Sequence, residues 1–306
     1  LPVGETVQED NMSTTEGRQV VRRTIRTFRF VMNSRNTILG FVVLTILVLV
    51  AIFAPFISSY DPNSMRFDDA FKPPSFISGD IKYLLGTDSL GRDIYSRVIY
   101  GSRPALFVAV VGSFFAALIG SSLGIFAGYY SGKFGELVMR IVDIWMSIPA
   151  VVFAIALIAV LGVDIVNVTI AIILIDWTRF TRVVRGEVLN IMGKDFVSAA
   201  KITGLKDFSI ILSEVVPNLI PLMTILFTLE MSIAITIEVL LSFTGLGVSP
   251  SMPSWGSMIA EGLSYFRMNP WGVLIPLISV ILVIMSINSL GDGLREKLDP
   301  RLSVRR

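Results

Sequence analysis

Four stretches of this chain, Ile38 to Ile57, Pro104 to Tyr130, Ile144 to Val163 and Pro270 to Leu290, contain no charged residue. Each approaches or exceeds the roughly 20 apolar residues that a helix needs to cross about 30 Å of hydrocarbon. Lipid offers the backbone no hydrogen-bond partner, so such runs must close their own bonds as helices. A fifth run, Val215 to Leu246, is apolar except for Glu230 and Glu238. Composition agrees: of 306 residues, 53% are hydrophobic and 16% charged, whereas a soluble domain carries about 25% charged residues. The mean hydropathy is +0.72.

A sixth crossing depends on Ile165 to Ile175, a short apolar run ended by Asp176. If it crosses, the inner side gathers Arg18, Arg22, Arg23, Arg26, Arg29 and Arg35, then Lys133 and Arg140, then Arg179, Arg182, Arg185, Lys194, Lys201 and Lys206, and finally Arg295, Lys297, Arg301, Arg305 and Arg306. That is the positive-inside arrangement, and it places both termini in the cytoplasm. The exception is the outer loop, where Arg66, Lys72, Lys82, Arg92, Arg97 and Arg103 are offset by six Asp.

The sequence therefore predicts an all-α membrane protein of six transmembrane helices. It divides into a basic cytoplasmic arm (1–37), a first membrane helix (38–57), an extracytoplasmic loop with an amphipathic helix (58–103), a five-helix core (104–290) and a cytoplasmic tail (291–306). The arm has no apolar core of its own, so the first helix is expected to serve as an uncleaved anchor. A chain opening on Leu1 is expected to be processed or incomplete.

Enzymatic readings lack raw material. With neither Cys nor His, thiol catalysis, Ser-His-Asp triads and His or Cys metal sites are excluded. No phosphate-binding G-x-x-x-x-G-K-[ST] loop occurs, since Gly193-Lys194 lacks the upstream glycine and is followed by Asp195. The chain is expected to bind no cofactor.

The long cytoplasmic connection, 179–213, carries its own helical pattern in KDFVSAAKITGLKDFS. Asp195 reads as an N-cap, Ser198 as the third helical position and Gly204 as the stop. Phe196, Ala199, Ala200 and Thr203 fall on one face, where paired alanines admit close approach of another surface. The segment DFVSAAKITGLKDFSIILSEVVPNLIP resembles the EAA loop of binding-protein-dependent ABC importer permeases through Ala199, Ala200, Gly204, Pro217 and Asn218. In that family the loop holds the coupling helix, seated in a groove of a cytoplasmic ATPase. Ser198 stands where the family places an acidic residue, and Glu214 where it commonly places His.

Three further runs, GTDSLGRDIYSRVIYGSR (86–103), LSFTGLGVSPSMPSWGSM (241–258) and LGDGLREKLDPRL (290–302), with WTRFTRVVRGEVL (177–189), resemble the C-type permease subunit of oligopeptide and dipeptide importers. The resemblance implies a type I importer core of five helices preceded by one N-terminal helix. It also implies a related permease subunit as partner, two ATPase subunits carrying ATP and Mg, an extracytoplasmic solute-binding protein, a peptide cargo and a prokaryotic inner membrane.

Each run also has a physical reading. Asp88 is expected to cap an amphipathic helix in which Asp93 and Arg97 pair at i, i+4 while Ile94 and Val98 share a side. Gly245, Gly247, Pro250, Pro253 and Gly256 forbid a regular helix, and Trp255 suits an interface. Arg92, Asp93, Arg97, Gly247, Pro253 and Trp255 are thus candidates for an outer cap or a docking surface for the binding protein. Glu230 and Glu238, eight residues apart, are expected to face the bundle interior or the translocation path, with Glu238 near enough to the cap to hydrogen-bond into it. Asp143 and Asp176 read as interfacial. The same carboxylates leave open an alternative, a secondary transporter with Glu230, Glu238 or Asp176 in a proton relay.

Overall fold

A computed structural model describes residues 35–79 and 81–298. The basic arm before residue 35 and the end of the tail lie outside the described residues. Among these, the chain is helical with one isolated bridge, Thr87 to Asp93. The longer helices are α1 (Arg35–Ile52), α2 (Ile94–Tyr129), α3 (Lys133–Met146), α4 (Ala150–Leu161), α5 (Ile165–Met192), α6 (Asp195–Ile202), α7 (Asp207–Phe243), α8 (Trp255–Leu263) and α9 (Trp271–Leu298).

By length and apolar character, three helices suffice to cross a membrane: α2, α7 and the Trp271–Arg295 part of α9. A fourth crossing is added if α3 and α4 count as one. Six were expected, and the differences have local causes. α1 is apolar but stops at Ile52, with a separate turn at Ala54–Ile57 around Pro55. The run 144–163 is not one helix: α3 and α4 meet at 82°, because Pro149 can neither donate its backbone N–H nor continue the helix of α3. α5 has 28 residues, about 42 Å, but from Asp176 onward it bears that residue, Arg179, Arg182, Arg185 and Glu187.

The amphipathic helix expected within the loop 58–103 is no separate element: from Ile94 it forms the first part of α2, continuous through Pro104 and a wide π turn at Val108–Gly112. A second π turn, Ile211–Val215, precedes Pro217 in α7. A regular turn there would press the proline ring onto the Ser213 carbonyl.

Three apolar clusters run along the bundle. One lies beneath the cap, joining Ile94, Ala109, Ile235, Trp255 and Val283. A second joins Val108, Ile158, Ile172 and Leu241. The third, at the loop end, joins Val184, Val188, Val197, Ile210 and Val215.

The most extensive helix pair is α2 with α5. Gly120, Gly124 and Gly128 stand one above another on α2, and a Cβ at Gly124 would lie 2.8 Å from the Thr181 carbonyl oxygen and 3.0 Å from Val184 Cβ. At Gly128 it would lie 2.6 Å from Val188 Cβ. Burying apolar surface against lipid-like neighbours gains little, so this contact depends on backbone proximity that small residues alone permit. Gly124→Leu is expected to lower stability by about 1–3 kcal/mol or more through overpacking. Thermal unfolding in detergent measures this, with Ser122→Leu, which points outward from the pair, staying near wild type.

Candidate functional site

The loop end is built on α6. Its N-cap is Lys194, not Asp195, whose place in the first turn still favours the helix dipole. The Lys194 carbonyl accepts from Val197 N at 3.1 Å and Ser198 N at 3.3 Å. At the other end Gly204 adopts φ +78°. Gly204 N donates to Lys201 O at 3.1 Å and Leu205 N to Ala200 O at 3.3 Å, a Schellman closure. Open space surrounds the Gly204 Cβ position, so backbone conformation alone asks for glycine there.

The four residues expected on one outward face separate. Ala200, 8% exposed, packs inward with Val197 onto Ile191, Ile210, Ile211 and Val215. Phe196, Ser198, Ala199, Thr203 and Gly204 remain exposed, together with Ile202 at 86%. The reason is angular: at about 100° per residue, positions 197 and 200 lie about 60° apart while 199 points nearly opposite to 197. Leu205, Phe208 and Leu212 extend the exposed apolar strip, beside an open groove of about 420 Å³ lined by Lys206, Phe208 and Leu212. Tyr129 at the end of α2 ties this corner down, donating to Asp207 at 2.8 Å while Lys201 lies over its ring.

Inside the bundle, Glu230 is 1% and Glu238 0% exposed. Neither lines an open surface of this chain. Glu230 accepts from Arg179 at 3.1 Å, and Arg179 also approaches Asp176 at 3.6 Å. Asp176 is 2% exposed, inside the bundle. Asp143 is exposed and pairs with Arg182, in keeping with an interfacial position. Arg179 was not singled out from sequence; its spacing of three from Asp176 on one helix was the available signal. Glu238 accepts from Ser242 at 2.7 Å, one turn nearer the cap.

The opposite end is closed by charge. Asp93, not Asp88, caps α2, accepting from Ser96 N at 3.0 Å and Ser96 Oγ at 2.6 Å. Asp88 organises the turn before it: Oδ1 accepts from Leu90 N and Arg92 N, both at 2.9 Å, and Oδ2 from Arg92 at 2.7 Å and Arg97 at 2.6 Å. Arg97 thus pairs with Asp88, not Asp93. Capping draws the Asp93 carboxylate back onto the first-turn backbone, away from a residue four positions on.

Glu261 on α8, missed in the sequence although it is the one acid between Glu238 and Asp292, binds Arg92 at 2.5 Å and Arg97 at 3.3 Å. Trp255 donates to Val98 O at 3.0 Å. A Cβ on Gly247 would collide with Ser242. Arg92, Asp93, Arg97, Gly247, Pro253 and Trp255 are therefore brought together, all buried, as the interior of a cap rather than as an outward surface. Nearby, Lys72, Lys82 and Tyr83 hold the Asp69 carboxyl well below the usual carboxylate range.

Removing Asp88 leaves two nearly buried guanidinium groups sharing one exposed acid. Asp88→Ala is expected to destabilise the protein by about 3–5 kcal/mol, while Trp255→Phe, which loses one hydrogen bond and some packing, costs about 1–2 kcal/mol. Thermal unfolding of the two variants in detergent checks the order.

With this geometry in place, relatives can be compared. The model of the binding-protein-dependent transport system inner membrane component matches residues 120–304. That of the N-terminal TM domain of oligopeptide transport permease C matches residues 25–74. The di/tripeptide transport system permease protein DppC of Pseudomonas aeruginosa is 34% identical over 271 residues, 88% of this chain and 89% of that protein. The dipeptide transport system permease protein DppC of Alkalihalophilus pseudofirmus is 36% identical over 278 residues, covering 90% and 89%. The oligopeptide transport system permease protein OppC of Bacillus subtilis is 34% identical over 270 residues, covering 88% and 87%.

Among solved structures, a chain of the MetNI methionine ABC transporter in an inward-facing conformation superposes with a TM-score of 0.57 at 17% identity. The match covers 67% of this chain and 98% of that one, a likeness of fold. The helical core, the alignment over most of its length and the two family matches agree: the chain belongs to the binding-protein-dependent transport system inner membrane components, among the peptide-transport permeases, which are transport subunits and not themselves enzymes.

Proposed function

We propose that this chain is one of two related permease subunits of an ATP-driven importer, contributing half of a translocation path for peptides and coupling to a separate ATPase through the loop 179–213. The observation that carries the reading is the two-sided build of α6. Val197 and Ala200 anchor it to the ends of α5 and α7, while Phe196, Ala199, Ile202 and Thr203 are left uncovered. An apolar strip of this kind, with little to cover it in its own chain, suits burial in a partner's groove. Because α6 is packed onto both membrane helices, a push on its outer face is passed to α5 and α7 instead of being absorbed in a loose loop. Ser198 has no charge to offer such a partner, so apolar fit carries the contact.

In this reading all six apolar segments cross the inner membrane, with α3 and α4 as one broken crossing, and both termini are cytoplasmic. ATP and Mg are held by two partner ATPase subunits, and a binding protein delivers the cargo at the cap end. The names of the relatives support peptides as the cargo. Proton-coupled carriage is not required, since Glu230 is engaged by Arg179 and Glu238 by Ser242.

The test uses Ala199→Arg with Ile202→Asp in the assembled transporter. Membrane insertion and thermal stability should stay near wild type, because both side chains point outward. Peptide uptake in proteoliposomes should fall at least about tenfold, which corresponds to losing about 1.4 kcal/mol of contact, and ATP hydrolysis should stop responding to the binding protein. Uptake at the wild-type rate would overturn the assignment. Ala200→Arg is a different experiment: it places a charge among Val197, Ile210 and Val215 and is expected to impair folding.

A further inference from the structure

Where α3 breaks from α4, the chain forms a half-open cavity of about 180 Å³ whose wall includes Trp145, Pro149, Phe153, Asp176 and Arg179. The aromatic side of this wall is fixed. Trp145 Nε1 donates to the Leu174 carbonyl at 2.6 Å, and its ring meets Phe153 at 5.2 Å and Trp177 at 6.0 Å, both edge to face. On the other side Asp176 is almost fully buried beside the Glu230 carboxyl, and no N–H or hydroxyl donor of Ser, Thr or Tyr reaches its Oδ2. Its Oδ1 meets Arg179 only at 3.6 Å, because Arg179 makes its closer contact with Glu230, whose Oε1 likewise meets no such donor.

Two buried carboxylates therefore share one guanidinium. The next ion pair along α5, Arg182 with Asp143, is already matched and adds no net charge. Buried carboxylate oxygens normally accept hydrogen bonds, and charge in low-dielectric surroundings calls for a counter-charge. The missing complement is a compact cation with several N–H donors that also tolerates aromatic faces. An ammonium group has these properties: three donors, a point charge and attraction to π faces. The cavity also lies beneath α4, whose Val152 and Val160 are exposed at 59% and 84%. Half of a path completed by a second subunit would have such an uncovered side.

We propose that this cavity binds a primary ammonium group, with Asp176 Oδ2 accepting its hydrogen bonds and Trp145 and Phe153 supplying π faces, so that a peptide passes the break in α3–α4 with its amino group held there. The proposal rests on the peptide-import reading above and adds a site within the membrane that prefers one chemical group. An amino terminus and a lysine side chain carry the same group, and the test separates them.

The assembled transporter in detergent, free of nucleotide and of binding protein, is titrated calorimetrically with trialanine, N-acetyl-trialanine and N-acetyl-alanyl-lysyl-alanine. Trialanine should bind, and N-acetyl-trialanine at least about tenfold more weakly, the loss expected for one charge-assisted hydrogen bond. Asp176→Asn should weaken trialanine by a similar factor. Phe153→Leu, which keeps an apolar side chain in place, should weaken it about threefold. Binding of the lysyl peptide as tightly as trialanine supports a site for either source, and weaker binding supports one for the amino terminus.

Equal binding of trialanine and its acetylated form, or undiminished binding in a folded Asp176→Asn assembly, overturns the proposal. Uptake of trialanine by the same assembly, with binding protein and ATP, is measured in parallel. Uptake without ammonium-dependent binding removes the site and keeps the importer, whereas ATP hydrolysis without uptake of any of these peptides removes the peptide-import reading.

Discussion

The approach of α2 to α5 along Gly120, Gly124 and Gly128 is the contact on which the rest of the molecule depends. Inside a bilayer, apolar side chains are as well solvated by lipid as by protein, so helices associate where their backbones come close enough for dense van der Waals contact. α5 is held there, and both functional regions are mounted on it. Its middle carries Asp176 and Arg179, its end leads through Gly193 into α6, and its Leu174 carbonyl fixes Trp145 at the break in the neighbouring helix. A change in the seam is therefore felt at the intramembrane charges and at the loop together.

The two ends of the bundle are fastened by different chemistry. At the cap, Asp88, Arg92, Arg97 and Glu261 form a short, nearly buried ionic network that binds the start of α2 to α8. Such networks are geometrically demanding and resist sliding, since removing any member strands a charge. At the loop end, α6 is held by Val197 and Ala200 in an apolar cluster with no ionic partner in it. Apolar contacts tolerate small shifts of register more readily than such a network does.

Much of this was legible in the chain. The uncharged runs read as helices, and the Ala199-Ala200-Gly204 pattern delimited α6 nearly to its ends. Gly204 closes the helix as its φ requires. Misreadings were of two kinds. Helix boundaries and caps moved by a residue or were overruled by proline: Lys194 replaces Asp195, and Pro149 splits a run that hydropathy alone cannot divide. Partners were assigned too locally. Arg97 was given to Asp93, four residues away, but turns to Asp88 and to Glu261 on a distant helix. Glu230 was read without Arg179, which lies 51 positions earlier in the chain.

The sequence by itself determined that the chain is helical and membrane-embedded and where the short helix after α5 lies. It could do so because a backbone in lipid must satisfy itself locally, and local pattern is what sequence displays. Only the tertiary structure decided that Ala200 faces inward while Ala199 and Ile202 face out, that Asp176 and Glu230 share Arg179, and that the break at Pro149 opens a cavity beside them. Segments apolar on every side carry no periodicity to announce their inner face. Ionic partners are chosen by helix packing, and Arg92 and Glu261 meet across 169 residues of chain.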